Sequence, residues 1–192
     1  MGLSIQTLKD TLDSLLPKSR FEHSLRVADM AVVLASLNNI STEKAYLAGL
    51  IHDTAKPMSP QTLLSDYSVQ IKDPLETVFS EYKAVWHALV APQVVSTLFQ
   101  INDEAVLDAI QWHTTGKADM AFLTKVIFVA DFVEPGRNTD ISRAMEIIAK
   151  SNIDRACFEI SEFSIQKLNK KNNKIHPLTI DCYNHYRSFA KK

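Results

Sequence analysis

Glycine is scarce, with four residues in a chain of 192, while leucine, isoleucine and alanine recur at three- and four-residue spacings. That combination disfavours a sheet or a nucleotide-binding α/β fold and leaves few sharp turns. Charge of one sign is lacking too. With 21 basic and 22 acidic residues the formal net charge is -1, so no overall positive field attracts DNA or RNA. A small phosphorylated ligand needs only a local cluster of positive charge and stays open. The two cysteines, Cys157 and Cys182, have neither metal-ligand spacing nor a CxxC pairing, and no secretory leader is read before the first helix. The expected compartment is the reducing cytoplasm. No apolar run approaches the roughly 18 to 20 residues that span a bilayer, the nearest being short stretches such as 45–51, so a membrane is not an expected partner.

What is present fits one all-α domain, since 192 residues at 46% apolar content can fill a single core. A first amphipathic helix is predicted from Ser4 to Leu16, stopped by Pro17. A second runs from about Ser19 to Leu37, and a third, capped by Ser41, from Thr42 to Ala55. Between Gln61 and Gln100 the pattern is broken by Pro74 and Pro92 into short helices and bends. Further helices are expected at 103–112, 118–132, 139–150, 152–169 and 178–190.

Four of the six histidines and two aspartates fall where the apolar pattern predicts burial. His23 shares a stripe with Val27, Met30 and Leu34. His52 and Asp53 close the third helix, His87 lies in a short apolar helix, and His113 ends the helix of Val106 and Ile110. Asp131 follows Phe128, Val129 and Ala130, where an unpaired carboxylate would face a large desolvation cost. Singly, each has an ordinary explanation: a hydrogen-bonded core histidine, or for Asp131 a salt bridge to Arg137 or Lys125. As a set they are the donors that borderline first-row metals accept.

A histidine, then an adjacent His-Asp pair, then a distant aspartate resembles the HD-domain metallophosphohydrolases. Three longer strings are similar to the bacterial YqeK family of symmetrical dinucleoside tetraphosphatases. They are Gly49-Leu50-Ile51-His52-Asp53-Thr54-Ala55-Lys56, Ile110-Gln111-Trp112-His113-Thr114-Thr115-Gly116-Lys117-Ala118-Asp119-Met120, and Val129-Ala130-Asp131-Phe132-Val133-Glu134-Pro135-Gly136-Arg137. The resemblance spans about residues 5–185. It implies an HD-type helical bundle with a metal-site core at about 19–137 and C-terminal packing helices at about 139–190.

It also implies a substrate, diadenosine tetraphosphate cut into two ADP, and two metal ions, with iron as the native metal. Manganese, cobalt, nickel and zinc suit the same donors. On this resemblance His23, His52, Asp53 and Asp131 hold one ion, His87 and His113 hold the other, and Asp53 bridges. Asp53, Lys56 and Arg137 are the catalytic candidates. Lys56, His113, Thr114, Thr115, Gly116 and Arg137 are the substrate-binding candidates, although Lys56 also reads as a solvated lysine at a helix end and Arg137 as a salt-bridge partner. Glu134 either acts on water or caps a turn. Trp112 either stacks on adenine or packs in the core. His176 and His185 read as surface or packing residues. A homodimer is compatible with the pattern. The alternatives are an HD phosphohydrolase of another nucleotide, or a nucleotide-sensing or scaffold protein without turnover.

Overall fold

The computed structural model describes residues 4–70 and 75–190, which form eleven α-helices and no strand. They are α1 (Ile5–Leu15), α2 (Lys18–Leu37), α3 (Thr42–Ile51), α4 (Pro60–Tyr67), α5 (Leu75–Glu81), α6 (Trp86–Phe99), α7 (Glu104–Trp112), α8 (Phe122–Val133), α9 (Asp140–Ser151), α10 (Ile153–Lys170) and α11 (Pro177–Tyr186). Short 3-10 turns cover Pro135–Arg137 and Arg187–Phe189. The fold is thus all-α, a single-domain helical bundle, as the three- and four-residue spacings predict.

Caps explain many of the helix starts. Ser4, Ser41, Ser59, Asp103 and Asn152 each accept a backbone N–H from the first turn of α1, α3, α4, α7 and α10. Thr139 and Ser142 close a reciprocal capping box on α9. With so few glycines, the left-handed turn positions fall mainly on other residues, among them Asn39, Asn138, Asn172 and Asp119, types whose short polar side chains tolerate positive φ.

Three expectations differ from the fold. The third helix ends at Ile51, not Ala55, because the chain passes into i→i+3 turns: Thr54 N–H donates to Ile51 O and Lys56 N–H to Asp53 O. Pro92 does not break the chain but sits inside α6. The other expected break, Pro74, lies outside the described residues. The apolar helix around Asp131 starts at Phe122, four residues later than Ala118.

The core sits where α2 crosses α3, with α8 packed against both and α7 against α3 and α8. Leu34, Ala31, Leu50, Ile51, Ile110, Val126, Ile127 and Val129 are sealed from solvent there. Helix α10 covers the outer side of α8 and carries α9 and α11 with it. Among the described residues no helix is long and apolar enough to cross a membrane.

Candidate metal and active site

The six expected metal donors come from five places in the chain: His23 from the inner stripe of α2, His52 and Asp53 from the end of α3, His87 from the first turn of α6, His113 from the end of α7, and Asp131 from the last turns of α8. All four histidines and Asp53 are buried. Two donor groups result, His23 with His52 and Asp131, and His52 with Asp53 and His113, the donor atoms within each lying within 4.8 Å of one another. Asp53 stands between them. Its Oδ2 is 3.6 Å from His52 Nε2 and 3.9 Å from His23 Nε2, while Oδ1 is 3.1 Å from His87 Nε2 and 3.6 Å from His113 Nε2.

This grouping departs from the expected division in three respects: His52 is shared, Asp53 belongs to the second compact group alone, and His87 belongs to neither. His87 remains adjacent, its Nε2 3.2 Å from His113 Nε2. Its ring nitrogens also face Lys56 Nζ at 3.1 and 3.2 Å, an ammonium that can only donate.

The backbone decides which imidazole nitrogen looks inward. His52 Nδ1 lies 2.7 Å from Gly49 O, and His113 Nδ1 lies 2.7 Å from Ile110 O. A carbonyl only accepts, so in both rings Nδ1 carries the proton and Nε2 presents its lone pair to the cluster. His23 Nδ1 lies 3.1 Å from Glu134 Oε1, which gives the same outcome through a carboxylate. The buried His23 Nε2 and His52 Nε2 complete no hydrogen bond with the protein, although His23 Nε2 is 3.0 Å and His52 Nε2 4.0 Å from Asp131 Oδ1. Inward lone pairs without a donor, set against two carboxylates, are the chemistry of a cation site. The residues fit two ions.

Electrostatics agree. Burial lowers the pKa of His52 to about 4 and of His87 to about 3, against an opposing pull from Asp53 in each case. Both imidazoles are therefore neutral at physiological pH. Burial works to raise the carboxyl pKa of Asp53, but His52, His113 and His87 outweigh it and hold the group well below its ordinary value. The same contest at Asp131 is won by His23, His52 and Arg137. Desolvation lowers the pKa of Lys56.

Four of the six, Asp53, His87, His113 and Asp131, line the floor of a cavity of about 1010 Å³. Lys56 and Arg137 line it. Arg137 is held by Asp131, donating from Nη2 to Oδ1 at 2.6 Å and from Nε to the carbonyl at 3.0 Å. Thr114 lines the cavity as well, with Oγ1 3.4 Å from His87 Nε2. Thr115 and Gly116 are not among the lining residues. The Thr115 hydroxyl is buried and donates to Gly116 O, and Gly116 has φ 62° with the space for a Cβ filled by Cys182 Sγ at 2.6 Å. A left-handed, crowded position of this kind favours glycine, so Gly116 shapes the turn beyond His113.

Trp112 also turns away, its indole N–H donating to Asp108 Oδ1 at 2.9 Å. Asp108 gathers Lys117 and Thr124 too and ties α7 to α8. Glu134 does cap a turn, accepting Gly136 N–H, and it additionally anchors His23 and Arg26 Nε. His176 caps α11 and lines the cavity beside Tyr82. His185 is exposed. A charged cavity residue beside the donors, Arg20, was not anticipated from the sequence. Arg20 Nη1 donates to Asp53 Oδ2 at 2.7 Å, and the only hint in the sequence is a basic residue three positions before His23 on α2.

A family model described as HD domain matches residues 20–136. The chain belongs to the HD domain family. Three similar proteins extend the match. The symmetrical bis(5'-nucleosyl)-tetraphosphatase of Staphylococcus aureus strain NCTC 8325 is 35% identical over 96% of this chain and 95% of its own. Its Bacillus subtilis strain 168 counterpart is 31% identical over 88% of this chain and 90% of its own. A predicted HD superfamily hydrolase involved in NAD metabolism from Clostridium acetobutylicum superposes with a TM-score of 0.87 at 30% identity, covering 100% of both chains. Within this HD domain, the two donor groups are the metal-binding catalytic site of an HD-type hydrolase.

Proposed function

We propose that this HD domain hydrolyses diadenosine tetraphosphate symmetrically to two ADP, with two metal ions, iron by preference, held by His23, His52, Asp53, His87, His113 and Asp131. The observation that carries the reading is Asp53, buried between two His/Asp donor groups at the floor of a cavity about 1010 Å³ in volume. The names of the Staphylococcus and Bacillus relatives supply the substrate. Manganese, cobalt, nickel or zinc would also be accepted by these donors. The metal-site core of about 19–137 is then roofed by the helices of 139–190. The two free, buried cysteines suit a cytoplasmic setting.

Bound here, the ions supply Lewis acidity, offsetting phosphate charge and making a water molecule acidic enough to attack at neutral pH. The protein supplies position and charge. Asp53 has two oxygens directed to two groups of imidazoles, so it alone can join both halves of the site. Glu134 locks the His23 ring, and the carbonyls of Gly49 and Ile110 lock His52 and His113. Lys56, Arg137 and Arg20 ring the floor with positive charge and grip non-bridging phosphate oxygens, Arg20 and Arg137 by exchanging an existing carboxylate partner for phosphate. Water adds to one of the two central phosphorus atoms and the central P–O bond breaks. One ADP departs as a stabilised phosphate anion, with little need of a dedicated acid, and the other keeps the water oxygen.

Purified, iron-loaded protein incubated with diadenosine tetraphosphate is expected to release ADP as sole product, two per substrate, and Asp53→Ala is expected to abolish release. ATP plus AMP as products, or turnover confined to another nucleotide, overturns the proposal. Equal phosphate release by the original and Asp53→Ala proteins overturns the enzyme assignment itself.

A further inference from the structure

The cavity extends beyond the matched segment 20–136, and its outer wall is built by α10 and the basic turn that follows. On this wall Phe163 of α10 meets Phe132 of α8 edge to face, with ring centroids 5.5 Å apart. Both rings are only half-buried, and both line the cavity. Phe132 directly follows Asp131, so the aromatic pair starts one residue from a metal donor. Ser164 and Lys167 stand beside it on the same wall, the Lys167 ammonium 6.0 Å from the Phe163 ring centre. Partly open aromatic faces, flanked by a hydroxyl and an ammonium and reached from a phosphate-binding floor, have the chemistry of a nucleobase platform: a flat apolar surface for stacking, with donors at its edge for ring nitrogens and carbonyls. The volume of about 1010 Å³ exceeds what phosphates alone would occupy. Trp112, the other aromatic candidate, is turned to Asp108 and does not line the cavity.

We propose that Phe163, with Phe132 packed edge to face against it, Lys167 over one side of the ring and Ser164 next to it in the chain, is the base-binding subsite that makes this HD domain act on nucleotides in preference to base-free polyphosphates. The inference rests on the nucleotide reading above and gives α10 a role in specificity in addition to packing on α8.

The test is calorimetric titration of manganese-loaded protein with ADP and, separately, with pyrophosphate, which shares the phosphates but has no base. Phe163→Ala is expected to weaken ADP on the order of tenfold, from the loss of one stacked base, and to leave pyrophosphate affinity unchanged. Phe163→Leu retains apolar bulk and helix packing while removing the ring plane. It should show the same selective loss, and it carries the test if the alanine variant fails to fold. Equal loss for both ligands marks a packing role and overturns the proposal, as does undiminished ADP binding in the leucine variant or failure of the unaltered protein to bind ADP more tightly than pyrophosphate. Products formed from diadenosine tetraphosphate are read in a separate assay, so failure of the symmetrical-cleavage reading leaves this comparison interpretable.

Discussion

Gly49→Ala sets two effects of opposite sign against each other, and the structure says which wins. Gly49 lies inside α3, where replacing glycine by alanine ordinarily favours the helix by about 1 kcal/mol. Here a Cβ would lie 2.7 Å from Ala28 Cα and 3.0 Å from Ala28 N, both backbone atoms of α2. Ordinary contact begins near 3.4 Å, so the two helices must part by at least about 0.7 Å along a crossing packed with Val27, Ala31 and Leu50. Backbone cannot rotate aside as a side chain can, and overpacking of this kind costs about 1–3 kcal/mol. Taking the upper half of that range for a backbone clash, the net change is destabilising by about 1–2 kcal/mol. For a chain of this length that is a drop of about 3–6 °C in melting temperature. The displacement also moves the carbonyl that orients His52, so metal content of the folded variant should fall with it. Thermal unfolding followed by circular dichroism, with elemental analysis on the same samples, reads both. A melting temperature equal to or above that of the unaltered protein would refute the reasoning, because helix propensity would then have outweighed the crossing.

Glu134→Ala removes the anchor of His23 Nδ1, and manganese affinity by titration is expected to fall about 10- to 100-fold while the helical circular dichroism signal persists; unchanged affinity would show that Glu134 does not position the ring. Stripping metal with a chelator is expected to lower the melting temperature, since ions that bind only the assembled donors stabilise the folded state; equal values before and after stripping would contradict a resident site. Asp108 carries a pH signature. Burial works to raise its pKa, but hydrogen bonds from Lys117, Thr124 and Trp112 win and leave it below 3.8. Its stabilisation is therefore full above pH 3.8 and lost as pH falls through the lowered value. Asp108→Asn should cost about 1–2 kcal/mol at pH 7 in urea unfolding, discounted for partial exposure, with a smaller deficit near pH 3. A deficit that grows on acidification would reverse the sign and defeat the assignment.

The fold class was legible because helical periodicity runs through most of the chain, and the five residues of the two donor groups stood out because they are polar groups where the apolar pattern calls for burial. His23 and Asp131 are the plainest cases, polar groups in register with Val27 and with Ile127 and Phe128. Arg20 was not legible: it shares the inward stripe of α2 with His23 and Val27, but a basic residue in the first turn reads as solvated, and it reaches Asp53 only through the α2–α3 crossing, a contact 33 residues apart in sequence. Nor was the outer wall, since Phe163 and Lys167 read alone as an ordinary amphipathic helix and gain meaning only when α10 closes over the metal donors. The end of α3 joins the two kinds of residue. Periodicity favours helix as far as Ala55, yet His52 Nδ1–H takes the Gly49 carbonyl that Asp53 N–H would use if the helix ran on, and Thr54 takes that of Ile51 through both its amide and its hydroxyl. His113 stands in the same relation to Ile110 at the end of α7. Two helices thus end on a histidine bonded back to its own last turn, which both halts the helix and leaves Nε2 facing inward. A side chain satisfying backbone three residues away is invisible to an apolar count, so the same interaction explains why the helix boundary was misplaced and why the imidazole faces the other donors.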